Sequence, residues 1–297
     1  MNAERRKRRP PGGGSKENSP QKPARKRAGG KGARGDSPSA PGRRGGPRGA
    51  GGGAIWLYGR HAALAALANP DRRIAGIRAT AAALEAHGEE IAKQARARGI
   101  DVETMAAQAL DRLLGRDAVH QGLAVAAAPL DQPDVAELRP ADDTALVVVL
   151  DQASDPRNVG AVIRAAAAFG AAAVVTTERG APPETGLLAK AAVGCLETTP
   201  YVQATNLARA LEALKANGFW TVGLDGAATT TLAAAPFDRP TALVLGAEGR
   251  GLRRLTAAAC DVLVSIPMAP GVESLNVAAA AAIALYESRR LRNAEPV

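Results

Sequence analysis

The chain has 297 residues and a formal net charge of +9, unevenly placed: residues 1–53 carry 15 basic and 3 acidic side chains, the remainder 23 and 26. Those first residues hold 14 of the 32 glycines and 7 of the 20 prolines and contain no Val, Ile, Leu, Phe, Trp, Tyr or Cys. They are expected to form a disordered basic tail, because they have too little apolar area to offset the entropy of ordering. No apolar run reaches the roughly 18–20 residues of a membrane span, no apolar stretch follows the basic N-terminus as a secretory signal requires, and Cys195 and Cys260 have no metal-ligand spacing. A cytoplasmic protein without membrane span, disulfide scaffold or metal is therefore expected, although an Arg-rich start also permits an organelle transit peptide.

Folded structure is predicted to begin at Ile55, Trp56 and Leu57, and the remaining length suggests two cores. A first α/β domain over 54–129 reads as a short helix at 61–67, a strand at 73–78, a helix at 81–98, a strand at 100–104 after Gly99, a helix at 106–114 and a strand at 122–128. Residues 130–143 lie in a stretch rich in proline and acidic residues without periodicity, which predicts a linker. From residue 144 to 293, β-rich runs at 144–150, 171–177, 219–224, 241–246 and 261–266 alternate with alanine-rich helical stretches. That alternation predicts a parallel sheet covered on both faces. Residues 294–297 are a short C-terminal tail.

Ligands of parallel α/β sheets bind beyond the carboxyl ends of the strands, and three such loops stand out. The first runs from Asp151 to Gly170, with Pro156 and Gly160 shaping the turn and a helix opening near Asn158 or Val159. Asn158 reads either as the cap of that helix or as a site residue. Arg164, among Val, Ile, Ala and Phe, needs a structural ion-pair partner or an anion. The second loop, L-G-A-E-G-R-G-L at 245–252, has three glycines within six residues, which permits close backbone approach of a ligand. It is neither a dinucleotide fingerprint nor a P-loop, and Glu248 reads as a solvated acid or a site residue. The third, I-P-M-A-P-G-V-E-S-L-N-V at 266–277, ends a strand at Pro267 and opens a long helix near Ser274, with Ser274 and Asn276 as caps or site residues. His61 and His120 read as structural, and Trp56 and Tyr58 as core anchors or base-stacking groups.

The order and separation of N-x-G-x-x-x-R at 158–164, L-G-x-E-G-x-G-L at 245–252 and I-P-M…S-L-N-V at 266–277 resemble the three motifs of the TrmH (SpoU) family of SPOUT RNA 2′-O-ribose methyltransferases. Y-G-R-H-A-A-L-A-A-L at 58–67 and H-Q-G-L-A at 120–124 are similar to the L30e-like substrate-binding domain of the RlmB-like branch, which methylates a guanosine of 23S rRNA. The resemblance spans about residues 54–293. It implies a deep trefoil knot near the C-terminus, a feature that is rare in general. It implies S-adenosylmethionine as cofactor, contacted by Gly246, Ile266 and Leu275 with Leu245, Met268 and Asn276 close by, and a homodimer acting on RNA, most of all rRNA. It further implies Arg164 as the catalytic centre, assisted by Asn158, Glu248, Ser274 and Asn276. One departure is Pro270-Gly271, where a glycine and then a variable residue are usual. Leu275, Ala279, Ile283, Tyr286 and Arg290 recur at helical spacing and are expected either to pack against a second subunit or to face the chain's own core. The rival readings are a tRNA ribose methyltransferase and a noncatalytic RNA-binding or ribosome-assembly module.

Overall fold

A computed structural model describes residues 53–247 and 249–293, so the basic tail apart from Gly53, Glu248 and residues 294–297 lie outside the described residues. Two sheets organise the chain. The smaller contains β1 (Ile55–Tyr58), β2 (Ile74–Ala79), β3 (Val102–Thr104) and β4 (Leu123–Ala127), in the order β1-β4-β2-β3. β4 is antiparallel to both β1 and β2, and β2 is parallel to β3. Helices α1 (Arg60–Ala68), α2 (Ala81–Arg98) and α3 (Ala107–Leu114) connect them. Thr80 caps α2 by accepting from the Ala83 N–H, and Gly99 ends it in the left-handed conformation that glycine adopts without a Cβ clash.

The larger sheet has six strands, all parallel: β5 (Leu146–Leu150), β6 (Ala173–Thr177), β7 (Tyr201–Ala204), β8 (Trp220–Leu224), β9 (Thr241–Leu245) and β10 (Val262–Val264), in the order β10-β8-β9-β5-β6-β7. β5, β6 and β9 are buried at every position, which is why they read as apolar runs broken only by Thr176, Thr177 and Thr241. Five of the strands were predicted. The sixth, β7, was not, because four residues after Pro200 at a sheet edge carry little periodic signal. Helices α4 (Pro156–Ala168), α5 (Gly186–Ala191), α6 (Leu207–Ala216), α7 (Arg254–Ala259) and α8 (Val277–Asn293) complete this part, and α8 packs on α4.

In place of two separate cores, one apolar cluster runs from Leu57, Leu67 and Ile77 through Leu188 and Leu196 to Leu146, Val148 and Leu150. A second cluster fills the other face of the large sheet around Val147, Val149, Leu211 and Phe219. The segment between the sheets is also tied down. Gln132 accepts from the Tyr201 N–H, Val135 is buried in the second cluster, and the Asn217 amide donates to the Ala136 and Leu138 carbonyls. Among the described residues no helix is long and apolar enough to cross a membrane, and no group of three His, Cys, Asp or Glu could hold a metal ion.

Candidate active site at the strand ends

From β5 the chain moves toward β6 and β7, whereas from β9 it moves toward β10 on the opposite side, so the loops leaving these adjacent strands diverge. Such a switch point opens a crevice in a parallel sheet. An ion pair between a buried carboxylate and a half-exposed arginine spans it here. Asp151, at the end of β5, has a fully buried side chain that accepts from the Arg253 backbone N–H at 3.0 Å and its Nε at 2.7 Å, while its own N–H donates to the Leu245 carbonyl. The pair fixes the glycine-rich loop after β9 against the loop after β5. An Asp151→Asn chain would set an amide N–H against an Arg253 donor, and the loss of a charge-assisted buried bond should cost about 1–3 kcal/mol, read as a lower urea midpoint at unchanged slope.

A cavity of about 370 Å³ opens beside this clamp. Leu245, Gly246, Ile266, Met268, Ser274 and Leu275 line it, together with the Leu224–Ala227 turn after β8, Arg250 and Glu273. Its size falls in the range of small-molecule sites, and its walls combine apolar side chains with exposed backbone. Gly246 permits the construction: a Cβ there would lie 2.0 Å from the Gly251 carbonyl carbon, because the loop folds back on itself through a Gly251 N–H to Ala247 carbonyl bond of 3.0 Å. The Pro270-Gly271 departure also has a physical account. The Val272 N–H donates to the Ala269 carbonyl at 3.3 Å and Gly271 has φ +86°, so proline and a positive-φ glycine occupy the two central positions that such turns favour.

Helix α4 brings the first loop to the same end of the sheet. Its cap is Asp155, whose side chain accepts from the Arg157 N–H at 2.8 Å, and Pro156 follows at the first helical position. Asn158 is therefore inside the first turn and does not cap the helix. Its Oδ1 instead accepts from the Asn276 Nδ2 at 3.1 Å, tying the first loop to the third. Nor does Gly160 shape a turn. It lies within α4, where an added Cβ would be 2.5 Å from the Ala191 Cβ and 2.7 Å from the Leu188 carbonyl, so it lets α4 and α5 touch. Helix α8 begins at Val277, later than predicted, and Asn276 caps it by accepting from the Ala278 and Ala279 N–H groups. Ser274 remains in the loop, exposed at the cavity wall.

Arg164 is exposed on α4, and its guanidinium has no hydrogen-bond or ion-pair partner among the described residues, which leaves the structural ion pair of the alternative reading unsupported there. Leu245, Gly246, Ile266, Met268, Ser274 and Leu275 share one cavity; Asn158 and Asn276 bond to each other beside it; Glu248 lies outside the described residues. Sequence reasoning missed the Asp225-Gly226 turn, Arg250, Glu273 and the Asp151–Arg253 clamp. The turn was discoverable, since it directly follows a predicted strand; the clamp joins residues 102 positions apart and leaves no local trace.

The model of the SpoU rRNA Methylase family matches residues 145–286, and that of RNA 2′-O ribose methyltransferase substrate binding matches residues 56–133. The 23S rRNA (guanosine-2′-O-)-methyltransferase RlmB of Ralstonia nicotianae is 40% identical over 242 residues, 81% of this chain and 97% of that protein. RlmB of Vibrio cholerae serotype O1 is 41% identical over 199 residues, 66% of this chain and 80% of that protein. Among solved structures, the SpoU methyltransferase AviRb from Streptomyces viridochromogenes, in complex with the cofactor AdoMet, is similar with a TM-score of 0.67 and 28% identity, covering 82% of this chain and 92% of that one.

Proposed function

The chain belongs to the SpoU rRNA methylase family, and on that premise we propose that it transfers the methyl group of S-adenosylmethionine to the 2′-hydroxyl of a guanosine in 23S rRNA. The observation that carries this reading is the convergence of the loops after β8, β9 and β10 around one cavity, with the Asn158–Asn276 bond tying α4 to the last of them. Similar proteins named for that reaction, covered over 97% of their length, supply the substrate class.

The cavity suits the cofactor by its chemistry. The Leu245, Ile266 and Leu275 side chains offer apolar surface for a purine, Gly246 lets the ligand reach the backbone, and the Asp225 and Glu273 carboxylates suit the cationic parts of the molecule. Bound there, S-adenosylmethionine supplies an electrophilic methyl group on a sulfonium. The chain's own task is to bring the ribose hydroxyl into line, let its proton pass to solvent water as the methyl group is received, and manage the negative charge that grows on its oxygen. Arg164 fits that last role as a donor to phosphate and developing oxyanion, since a guanidinium carries five N–H donors and no acceptor. The Asn158–Asn276 bond holds the start of α4 against the third loop, and Ser274 and Glu248 position the substrate.

In this reading the 54–129 unit binds RNA, 130–143 links it to the catalytic unit over 144–293, and the three loops belong to the trefoil knot. A cytoplasmic setting goes with the reaction. A homodimer is part of the proposal: Ile283 is 41% and Tyr286 57% exposed on α8, and Ala279 and Arg290 share that exposed side. Such apolar exposure fits a partner surface. Light scattering should give twice the chain mass and Tyr286→Glu should give the monomer; a fully active wild-type monomer would remove this part.

The deciding experiment maps 2′-O-methyl groups in rRNA and tRNA from a deletion strain and from the strain complemented with this chain. Restoration of one 23S guanosine is expected; restoration at a tRNA position, or at none, overturns the assignment. The basic N-terminal segment adds a second expected result. Removing residues 1–53, with their net charge of +12, should lower RNA affinity and flatten its dependence on salt while leaving cofactor affinity unchanged. An unchanged salt slope in filter-binding assays would show that the segment makes no phosphate contacts.

A further inference from the structure

The joint between the small sheet and the catalytic sheet contains a buried charge cluster that the reaction itself does not use. Arg72, between α1 and β2, is 1% exposed. Its Nε and Nη2 donate to the two carboxylate oxygens of Glu197 at 3.0 and 2.6 Å, and its Nη1 donates to Glu184 at 2.5 Å and to the Ala128 carbonyl at 2.9 Å. Glu197 also accepts from the Asn69 Nδ2 at 2.9 Å, and Glu184 from the Leu130 N–H at 3.3 Å. The two carboxyl side chains are only 10% and 5% exposed. Burial raises the Glu184 carboxyl above its ordinary range against the opposing pull of Arg72, as expected of a group drawn out of water.

The cluster's partners bracket one element. Glu184 immediately precedes the α5 cap Thr185, and Glu197 closes the short 3-10 turn Cys195–Glu197 beyond α5. Helix α5 in turn touches β1, where an added Cβ on Gly186 would sit 2.2 Å from the Trp56 carbonyl, and touches α4 through Gly160. A continuous line of contacts therefore runs from Arg72 through α5 to the helix that carries Asn158 and Arg164. The apolar part of this joint supplies attraction, but apolar contact tolerates sliding. A bidentate guanidinium between two buried carboxylates has one geometry, and any shift strands charge in a dry interior.

We propose that Arg72, through Glu184 and Glu197, is a positioning residue that sets the register of the small-sheet unit on the catalytic unit, and so decides which nucleotide of the bound RNA reaches Arg164. The proposal rests on the RNA-methylation reading for its activity readout and on the joint's geometry alone for its structural one. Two variants of the full chain separate register from stability. Arg72→Met leaves both carboxylates unpaired and should lower Tm. Arg72→Met combined with Glu184→Gln and Glu197→Gln removes every buried charge and should restore Tm to near wild type.

The triple variant should bind S-adenosylmethionine as the wild type does, show a kcat/KM for RNA at least tenfold lower, and spread methylation over neighbouring nucleotides. Amide hydrogen exchange should rise in α1, β1 and α5 of this variant while β8, β9 and the cofactor loops stay protected. A triple variant that methylates a single nucleotide at the wild-type rate overturns the proposal. So does wild-type protection across α1 and α5, a result that would stand even if the wild-type enzyme proved not to methylate RNA.

Discussion

An Arg164→Ala enzyme is expected to fold, bind S-adenosylmethionine with wild-type affinity and lose methyl transfer by about two to three orders of magnitude in kcat, roughly 2.7–4 kcal/mol of transition-state stabilisation. The residue lies six positions after Asn158 on α4, so about 9 Å farther along the helix axis at 1.5 Å per residue. It is exposed, without a partner among the described residues, on a helix fixed on both sides by α5 and α8. An arginine held on a rigid helix and left unengaged is ready to donate to an incoming anion. Removing it should not disturb packing, because Val162, Ile163 and Ala166 carry the buried face. Arg164→Lys keeps the charge but loses the planar fork, and should recover only part of the rate. Single-turnover methyl transfer alongside calorimetric cofactor titration separates the two steps. A near wild-type rate in Arg164→Ala would remove this residue from the chemistry.

Gly246→Ala should instead abolish tight cofactor binding. The new methyl would lie 2.0, 2.2 and 2.3 Å from the Gly251 carbonyl carbon and oxygen and the Leu252 nitrogen, all backbone atoms of the loop that walls the cavity. That loop has little freedom to retreat, since the Ala247 carbonyl accepts from the Gly251 N–H and Asp151 accepts from the Arg253 N–H just beyond it. Relief requires opening the loop, and overpacking of this kind costs about 1–3 kcal/mol, or roughly a 5- to 150-fold weaker Kd. Gly249→Ala is the control. Its Cβ meets nothing within 4 Å and only the φ of +71° is unfavourable, so cofactor affinity should change far less. Equal losses in both variants would mean that loop flexibility, not the close approach at Gly246, governs binding.

The elements were largely legible because their signals are local. Leu146–Leu150 and Thr241–Leu245 are buried on both faces and so are apolar apart from Thr241, and Ala81–Arg98 lies between a threonine cap and a left-handed glycine. The misreadings concern residues whose local chemistry admits two outcomes. Asn158 had the right type for a cap, but Asp155 lies directly before Pro156 and takes that place. Gly160 had the right type for a turn, but its missing side chain is used for contact between α4 and α5. Ser274 and Asn276 both suit helix starts, and only Asn276 reaches the free N–H groups of α8.

By itself the sequence determined five of the six strands of the catalytic sheet, the three loops at its strand ends, the segregation of positive charge into the first 53 residues and, through its motifs, the family. Each depends on residues close together along the chain, where side-chain period, proline and glycine act within a few positions. Tertiary structure decided what closes the site and what fixes the two sheets together: Asp151 with Arg253, Asn158 with Asn276, and Arg72 with Glu184 and Glu197, pairs separated by 102, 118, 112 and 125 residues. Pairs so distant leave no period to read, because they arise only when the fold brings their elements together: Arg72, Glu184, Glu197 and Asp151 are drawn out of water and obliged to find partners, and Asn158 and Asn276 meet at an exposed edge.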